Sequence, residues 1–62
     1  MHKFNVVNYY RNGVNICVDK ESTKYGLKYI LFVDYIKITE SYDYELIERI
    51  LNSLETLANN RN

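Results

Sequence analysis

Apolar and polar residues alternate along the first third of the chain, and this pattern predicts a β-hairpin. The two alternating runs flank Asn12-Gly13. An Asn-Gly pair in this position is the strongest short-range hairpin signal, because a type I′ turn needs positive φ at both central residues. A two-residue loop there pairs Arg11 with Val14. The same register gives one hairpin face a set of apolar residues, namely Val7, Tyr9, Val14, Ile16 and Val18.

The segment 27–38 is apolar on both faces of any strand that it could form. Successive side chains of a strand point to opposite faces, and both alternate sets here are rich in Leu, Ile, Val, Phe and Tyr. The apolar phase slips near Asp34-Tyr35, which indicates a bulge or a bend. We predict a third strand here, with a helix as the alternative, because a short apolar run does not distinguish the two. The polar stretch 20–26 before it predicts a loop.

After Ser41 the apolar spacing changes to three and four residues, which predicts an amphipathic helix. The stripe consists of Leu46, Ile47, Ile50, Leu51, Leu54, Leu57 and Ala58. Thr39 or Ser41 can cap its start, and we expect residues 59–62 to form a frayed polar tail. The predicted fold is a single α+β domain over residues 1–62. A three-stranded antiparallel sheet, made of an N-terminal hairpin and a third strand, packs against one C-terminal helix in the order β-β-β-α.

The small size of the chain predicts association with a second copy. A domain of about 60 residues buries only about 60% of the surface that its unfolded chain exposes. One cysteine and one histidine exclude an internal disulfide and a four-ligand zinc site within one chain. The helix covers one face of the sheet, so a symmetry mate is expected to cover the other as a homodimer. The predicted dimer interface consists of Phe4, Val6, Cys17, Ile30, Phe32 and Ile36.

The sequence offers little for catalysis. His2 and Cys17 lie on separate segments, and nothing places them together as a base and a nucleophile. Glycine is too sparse for a phosphate-binding loop, so we expect no catalytic residue, no cofactor and no metal. Neither a signal peptide nor a stretch of the roughly 18 apolar residues needed to span a membrane is visible. We therefore expect a soluble, cytoplasmic protein.

The charge distribution is dipolar. Eight basic residues balance eight acidic ones over the whole chain, yet six basic and three acidic residues fall in 1–39, whereas two basic and five acidic residues fall in 40–62. This pattern differs from the uniformly basic surface that is expected of a general nucleic-acid binder.

The seven tyrosines allow three interpretations, which are core packing, a protein-binding surface and a stacking surface for nucleic-acid bases. The residues predicted to bind a partner are Tyr10, Arg11, Tyr25, Lys28, Tyr42 and Tyr44. Lys20 and Lys24 would add phosphate contacts if the ligand were a nucleic acid.

The most consistent interpretation is a small non-enzymatic protein-binding module. Residue usage favours amino acids with AT-rich codons, a genomic correlation that suggests a phage or a mobile element. The predicted role is an inhibitor that blocks a host protein, for example one of an antiviral defence, as a homodimer. The alternative is a small nucleic-acid-binding regulator that uses the basic hairpin and loop.

Overall fold

The computed structural model describes residues 3–11 and 13–60. These residues form four strands and a helix, which are β1 (Lys3–Arg11), β2 (Val14–Thr23), β3 (Gly26–Val33), β4 (Ile36–Ser41) and α1 (Tyr44–Asn60). The strands lie side by side in chain order in one antiparallel sheet. The predicted α+β class, with an N-terminal hairpin and a C-terminal helix, is confirmed. The predicted number of three strands is wrong, because the sheet has a fourth.

The hydrophobic core lies between the sheet and one side of α1. Val18, Leu31 and Ile47 have no exposed surface. The buried core cluster consists of Ile16, Val18, Leu31, Ile47 and Leu51. The apolar hairpin face predicted from the sequence contributes to this core, because its remaining members, Val7, Tyr9 and Val14, pack partly buried against the cluster. Burial of this continuous apolar layer is the main stabilising contribution available to so short a chain.

The β1–β2 hairpin has the predicted register. Arg11 lies opposite Val14, so the connection between the strands has two residues. Gly13 has a φ of 82°, a left-handed conformation that glycine adopts without a steric penalty. Asn12, the other residue of the predicted turn, lies outside the described residues. The local sequence is therefore sufficient to specify the register of this hairpin.

The segment 27–38 is two strands joined by a tight turn, so the prediction of one continuous strand is wrong. Val33 ends β3 and Ile36 begins β4, and the two residues lie opposite each other. Between them Asp34 and Tyr35 have φ values of 51° and 68°, and a type I′ turn requires positive φ at both of these positions. The usual pairs in such a turn are Asn-Gly, Asp-Gly and Gly-Gly. Asp34-Tyr35 lacks the glycine, so the only sign of the turn in the sequence is the slip in the apolar alternation.

The predicted loop over 20–26 is also wrong for most of its length. β2 extends to Thr23 and β3 begins at Gly26, which leaves Lys24 and Tyr25 as the turn. The Thr23 hydroxyl closes this turn, since its Oγ1 accepts a hydrogen bond from the Tyr25 N–H at 3.1 Å and donates one to the Gly26 carbonyl at 2.9 Å. Polar residues form strands here because strand pairing satisfies their backbone groups.

α1 begins after the cap positions that the sequence predicts. Asp43 Oδ1 accepts a hydrogen bond from the Glu45 N–H at 3.0 Å, which makes Asp43 the N-cap of a helix whose first residue is Tyr44. The prediction of Thr39 or Ser41 as the cap is wrong, because both residues belong to β4. Ser41 instead supports the cap, since its Oγ accepts a hydrogen bond from the Asp43 N–H at 2.9 Å.

The C-terminal helix ends at Asn60. Residues 59–60 of the predicted frayed tail therefore belong to α1, whereas residues 61–62 lie outside the described residues. Over 3–11 and 13–60, no helix is both long and apolar enough to cross a membrane.

Candidate binding surfaces

α1 crosses the sheet from one end toward the other and does not cover its full length. The ring of Tyr44, at the start of the helix, lies 4.9 Å from the ring of Tyr29 in β3. Further along, Glu55 Oε1 lies 3.5 Å from Arg11 Nη1 at the end of β1. Residues 20–28 run from the level of Tyr29 past the start of α1, and we call them the β2–β3 extension. The turns that close the other two hairpins lie at the opposite end of the sheet.

Three of the six residues of the predicted dimer interface lie on the sheet face that points away from α1, which we call the open face. Cys17 pairs with Phe32 across β2 and β3, and Ile30 is two residues from Phe32. All three alternate with the core residues Val18 and Leu31, so their side chains project away from the helix. Ile30 is nevertheless only 5% exposed. The single chain thus already buries a residue that was expected to drive dimerisation.

Of the other three predicted interface residues, Phe4 and Ile36 do not join this face, and Val6 lies at a break in the register of β1. A bulge at Val6 shifts the register so that Phe4 pairs with Lys20, and an even-numbered β2 residue projects toward the α1 side. The β3–β4 turn places Ile36 opposite Val33, which is also on the α1 side. The structure therefore does not bring the six residues together on one face, and the interface itself stays a prediction.

The thiol on the open face is held among polar side chains. Asn5 Nδ2 donates hydrogen bonds to Cys17 Sγ at 2.9 Å and to Asp19 Oδ1 at 3.2 Å. Burial of Cys17, followed by the nearby Asp19 carboxylate, raises the pKa of the thiol. A thiol with a raised pKa is protonated at neutral pH and is a poor nucleophile. Cys17 therefore has the environment of a structural cysteine.

Two lysines of the open face, Lys28 and Lys37, form ion pairs. Lys28 Nζ lies 3.4 Å from Glu21 Oε1 and 3.7 Å from Glu40 Oε2, and Lys37 also pairs with Glu40. The hydrogen bond to Glu21 raises the pKa of Lys28, and the hydrogen bond from Lys37 lowers the pKa of Glu40. Lys28, a predicted partner-binding residue, therefore already has two carboxylate partners within this chain.

Of the other predicted partner-binding residues, three are exposed and two already form contacts within the chain. Tyr10, Tyr25 and Tyr42 are exposed, although they lie on three different parts of the chain. Tyr44 packs against the core, and Arg11 forms the ion pair that links β1 to α1. The prediction of a common binding set is therefore not matched by a common location.

The residue that sequence reasoning missed is Tyr35. Its side chain is 81% exposed, and its φ of 68° lies in the left-handed region. That conformation costs a residue with a Cβ atom roughly 1–2 kcal/mol. The slip in the apolar alternation beside Asp34 was the only sign of this turn in the sequence. In the continuous strand that we predicted, Tyr35 was one apolar residue among many.

Hydrogen bonds to β2 hold the turn that carries Tyr35. The Asp34 N–H donates to the Asn15 carbonyl at 2.8 Å, and the Asn15 N–H donates to Asp34 Oδ1 at 3.0 Å. Aspartate tolerates the left-handed region better than most residues do. Asp34 therefore fixes the turn, and this turn requires Tyr35 to adopt an unfavourable backbone conformation.

Tyr10 and Tyr35 lie at the same end of the sheet, and we call them the turn-end patch. Tyr10 pairs with Asn15 and projects to the open face, and Asn15 bonds to Asp34 on its other side, so the two tyrosines lie on either side of β2, one in β1 and one in the β3–β4 turn. Ile36 follows Tyr35 but projects to the α1 side. Neighbouring strands are about 4.8 Å apart, which places the backbones of Tyr10 and Asp34 roughly 10 Å apart. Both side chains of the patch are exposed, Tyr10 to 72% and Tyr35 to 81%.

Comparison with protein-family models, with curated proteins and with solved structures finds no match. Among the described residues, no group of three or more His, Cys, Asp or Glu side chains is arranged to hold a metal ion. A functional proposal for this chain therefore depends on its own surfaces.

Proposed function

We propose that this chain is a small protein-binding module that contacts its partner through the turn-end patch. The observation that carries the proposal is the backbone conformation of Tyr35 together with the exposure of its ring. Glycine at this position would remove the conformational cost. Strained backbone positions of this kind cluster at ligand-binding and other functional sites, and an exposed aromatic ring there points to a contact outside the chain.

The chemistry of the turn-end patch suits a protein partner. Tyrosine is large, rigid and amphipathic, so it contributes contact area at a low cost in side-chain entropy. Tyr10 and Tyr35 supply two such rings. The cations nearest to them in sequence, Arg11 and Lys37, each pair with a glutamate of the chain, so the patch offers aromatic surface more than free positive charge. The proposed partner surface is an apolar pocket or groove with polar groups at its rim.

The predicted homodimer is retained as a separate proposal. Ile36 and Ile38 are both exposed on β4, a strand at the edge of the sheet, and such an edge can pair with another chain. Light scattering at micromolar concentrations should give twice the chain mass of 7.4 kDa, and a mass of 7.4 kDa would contradict the dimer. The role as a phage- or mobile-element-encoded inhibitor of a host protein stays a prediction that depends on residue usage.

Affinity capture with matched bait variants tests the protein-binding proposal. Immobilised wild type, Tyr35→Gly and Tyr10→Ala are incubated with nuclease-treated lysate of the source cell, and retained proteins are quantified by mass spectrometry. Tyr42→Ala is the control, because this exposed tyrosine lies between β4 and α1, at the other end of the sheet. Wild type and the control should retain the same protein at a stoichiometric level, whereas both patch variants should lose it.

Two results would contradict the proposal. One is that wild type retains no protein at a stoichiometric level. The other is that Tyr35→Gly retains the partner as well as wild type does, which would mean that the ring of Tyr35 is not part of the contact. Circular dichroism of each bait separates loss of binding from loss of fold.

A further inference from the structure

The α1-side face of the β2–β3 extension is not covered by the helix. α1 begins beside Tyr29, Lys20 lies opposite Tyr29 at that level, and residues 21–28 continue beyond it. Lys20 and Leu27 project to the α1 side, because they continue the alternation of the core residues in β2 and β3. Leu27 is 44% exposed, and Tyr25 at the tip of the extension is exposed as well.

Two lysines of this extension lie beside aromatic rings and not beside carboxylates. Lys20 Nζ lies 5.8 Å from the centroid of the Phe4 ring, and Lys24 Nζ lies 5.2 Å from that of Tyr25. Within residues 3–11 and 13–60, neither lysine forms an ion pair with an acidic side chain. Lys28 differs, since it projects to the open face and pairs with two glutamates. The extension thus keeps its uncompensated positive charge next to aromatic side chains.

We infer that the β2–β3 extension binds single-stranded nucleic acid, a ligand class outside the proposed function and at the opposite end of the sheet. Lys20 and Lys24 contact phosphates, and the Tyr25 ring provides a surface on which a base stacks. The two lysines are four residues apart along the chain, or roughly 13 Å in extended backbone, so they contact separate phosphates. A single strand fits better than a duplex, because only unpaired bases are free to stack on a protein ring.

Fluorescence anisotropy of the full chain with a labelled oligothymidylate at low ionic strength tests this site. Wild type should bind, and log K should fall against log salt with a slope of about −1.4, which corresponds to two phosphates of a single strand. The double variant Lys20→Ala/Lys24→Ala should bind roughly tenfold or more weakly. Tyr25→Ala should bind about fivefold more weakly, whereas Tyr25→Phe should match wild type because it keeps the ring.

Lys37→Ala/Arg49→Ala is the matched control, because it removes the same charge from exposed positions outside the extension. Its affinity should stay close to that of wild type. Three results would overturn the inference: no anisotropy change with wild type, an equal loss in the control variant, or competition by polyglutamate as effective as by unlabelled oligothymidylate. The last result would identify an acidic protein as the ligand class. Lys20→Arg/Lys24→Arg should retain binding because it keeps both positive charges. This result would show that substitution at these two positions does not by itself abolish binding.

Discussion

The β1–β2 and β3–β4 hairpins close with loops of the same length but of different chemistry. Both loops have two residues, since Arg11 pairs with Val14 and Val33 pairs with Ile36. The second loop residue has positive φ in both hairpins, 82° in the first and 68° in the second. It is a glycine in the first hairpin and a tyrosine in the second. The same backbone conformation is thus favoured by the residue that adopts it in the first hairpin and disfavoured by the residue that adopts it in the second.

The difference shows which interactions specify each turn. In the first hairpin, glycine adopts the required φ without strain, so the local sequence specifies the register. In the second, Asp34 is bonded through both its N–H and its carboxylate to Asn15 of β2. Tertiary contacts therefore impose the turn on Tyr35. A residue placed in this way is a candidate for selection by function and not by folding.

The largest predicted effect is a difference in the loss of stability between an isoleucine of β3 and one of β4, the two strands that the second turn joins. Ile30→Ala should lower the free energy of unfolding by about 2–4 kcal/mol, because its side chain is 5% exposed and its removal leaves a cavity. Ile36→Ala should change it by less than about 0.5 kcal/mol, because this isoleucine is 66% exposed. Urea denaturation measures both values. Equal costs would contradict the separation of β3 from β4 at the Asp34-Tyr35 turn.

The next effect concerns the residue that holds the second turn. Asp34→Ala should destabilise the protein by about 1–2 kcal/mol, because it removes the acceptor of the Asn15 N–H and the tolerance for positive φ. Asp34→Asn is the control, since its amide oxygen can accept the same hydrogen bond and asparagine tolerates the conformation. The asparagine variant should lose less than half as much in the same denaturation assay. A loss as large as that of alanine would mean that the carboxylate charge matters and not the turn geometry.

Removing the glycine from the first turn and introducing one into the second should change the stability of the protein in opposite directions, by smaller amounts. Gly13→Ala should destabilise by about 1 kcal/mol, and a Cβ there meets no atom within 4 Å, so backbone conformation alone accounts for the loss. Tyr35→Gly should stabilise by about 0.5–1 kcal/mol, because it relieves the strained conformation. Thermal unfolding of both variants compares the two turns directly. A destabilised Tyr35→Gly variant would show that the tyrosine ring contributes to the fold.

The smallest predicted effect is that of the ion pair between the first hairpin and α1. The coupling between Arg11→Ala and Glu55→Ala in a double-mutant cycle should be below about 0.5 kcal/mol, because water reaches both side chains, which are 48% and 40% exposed. High salt should abolish it. A coupling above about 1 kcal/mol would show that this pair, and not the apolar core, fixes α1 across the sheet.

Two elements of the fold follow directly from local sequence. The first hairpin follows from Asn12-Gly13, and α1 follows from the apolar spacing after Ser41. The fourth strand does not follow, because Asp34-Tyr35 lacks the glycine that usually follows Asp or Asn in such a turn, and the turn depends on Asn15 in another strand. The strands within 20–26 do not follow either, because pairing of β2 with β3 overrides a composition that is typical of loops.

The candidate binding residues also divide into those that could be predicted from local sequence and those that depend on the tertiary structure. The exposure of Tyr10, Tyr25 and Tyr42 agrees with the expectation of a tyrosine surface. Tyr44 lies in the first turn of α1 and packs inward, which depends on the phase of the helix and so on its cap at Asp43. Tyr35 could not be singled out, because its importance comes from a turn that the local sequence does not reveal.

Nuclear magnetic resonance of the wild-type chain tests the central claim, the two-residue turn at Asp34 and Tyr35, most directly. Positive φ brings the amide and α protons of a residue close together, so both residues should show strong intraresidue Overhauser effects. Cross-strand contacts should connect Leu31 with Thr39 and Tyr29 with Ser41. An uninterrupted pattern of sequential extended-chain contacts over 27–38, without those cross-strand contacts, would contradict the turn and the proposed function that depends on it.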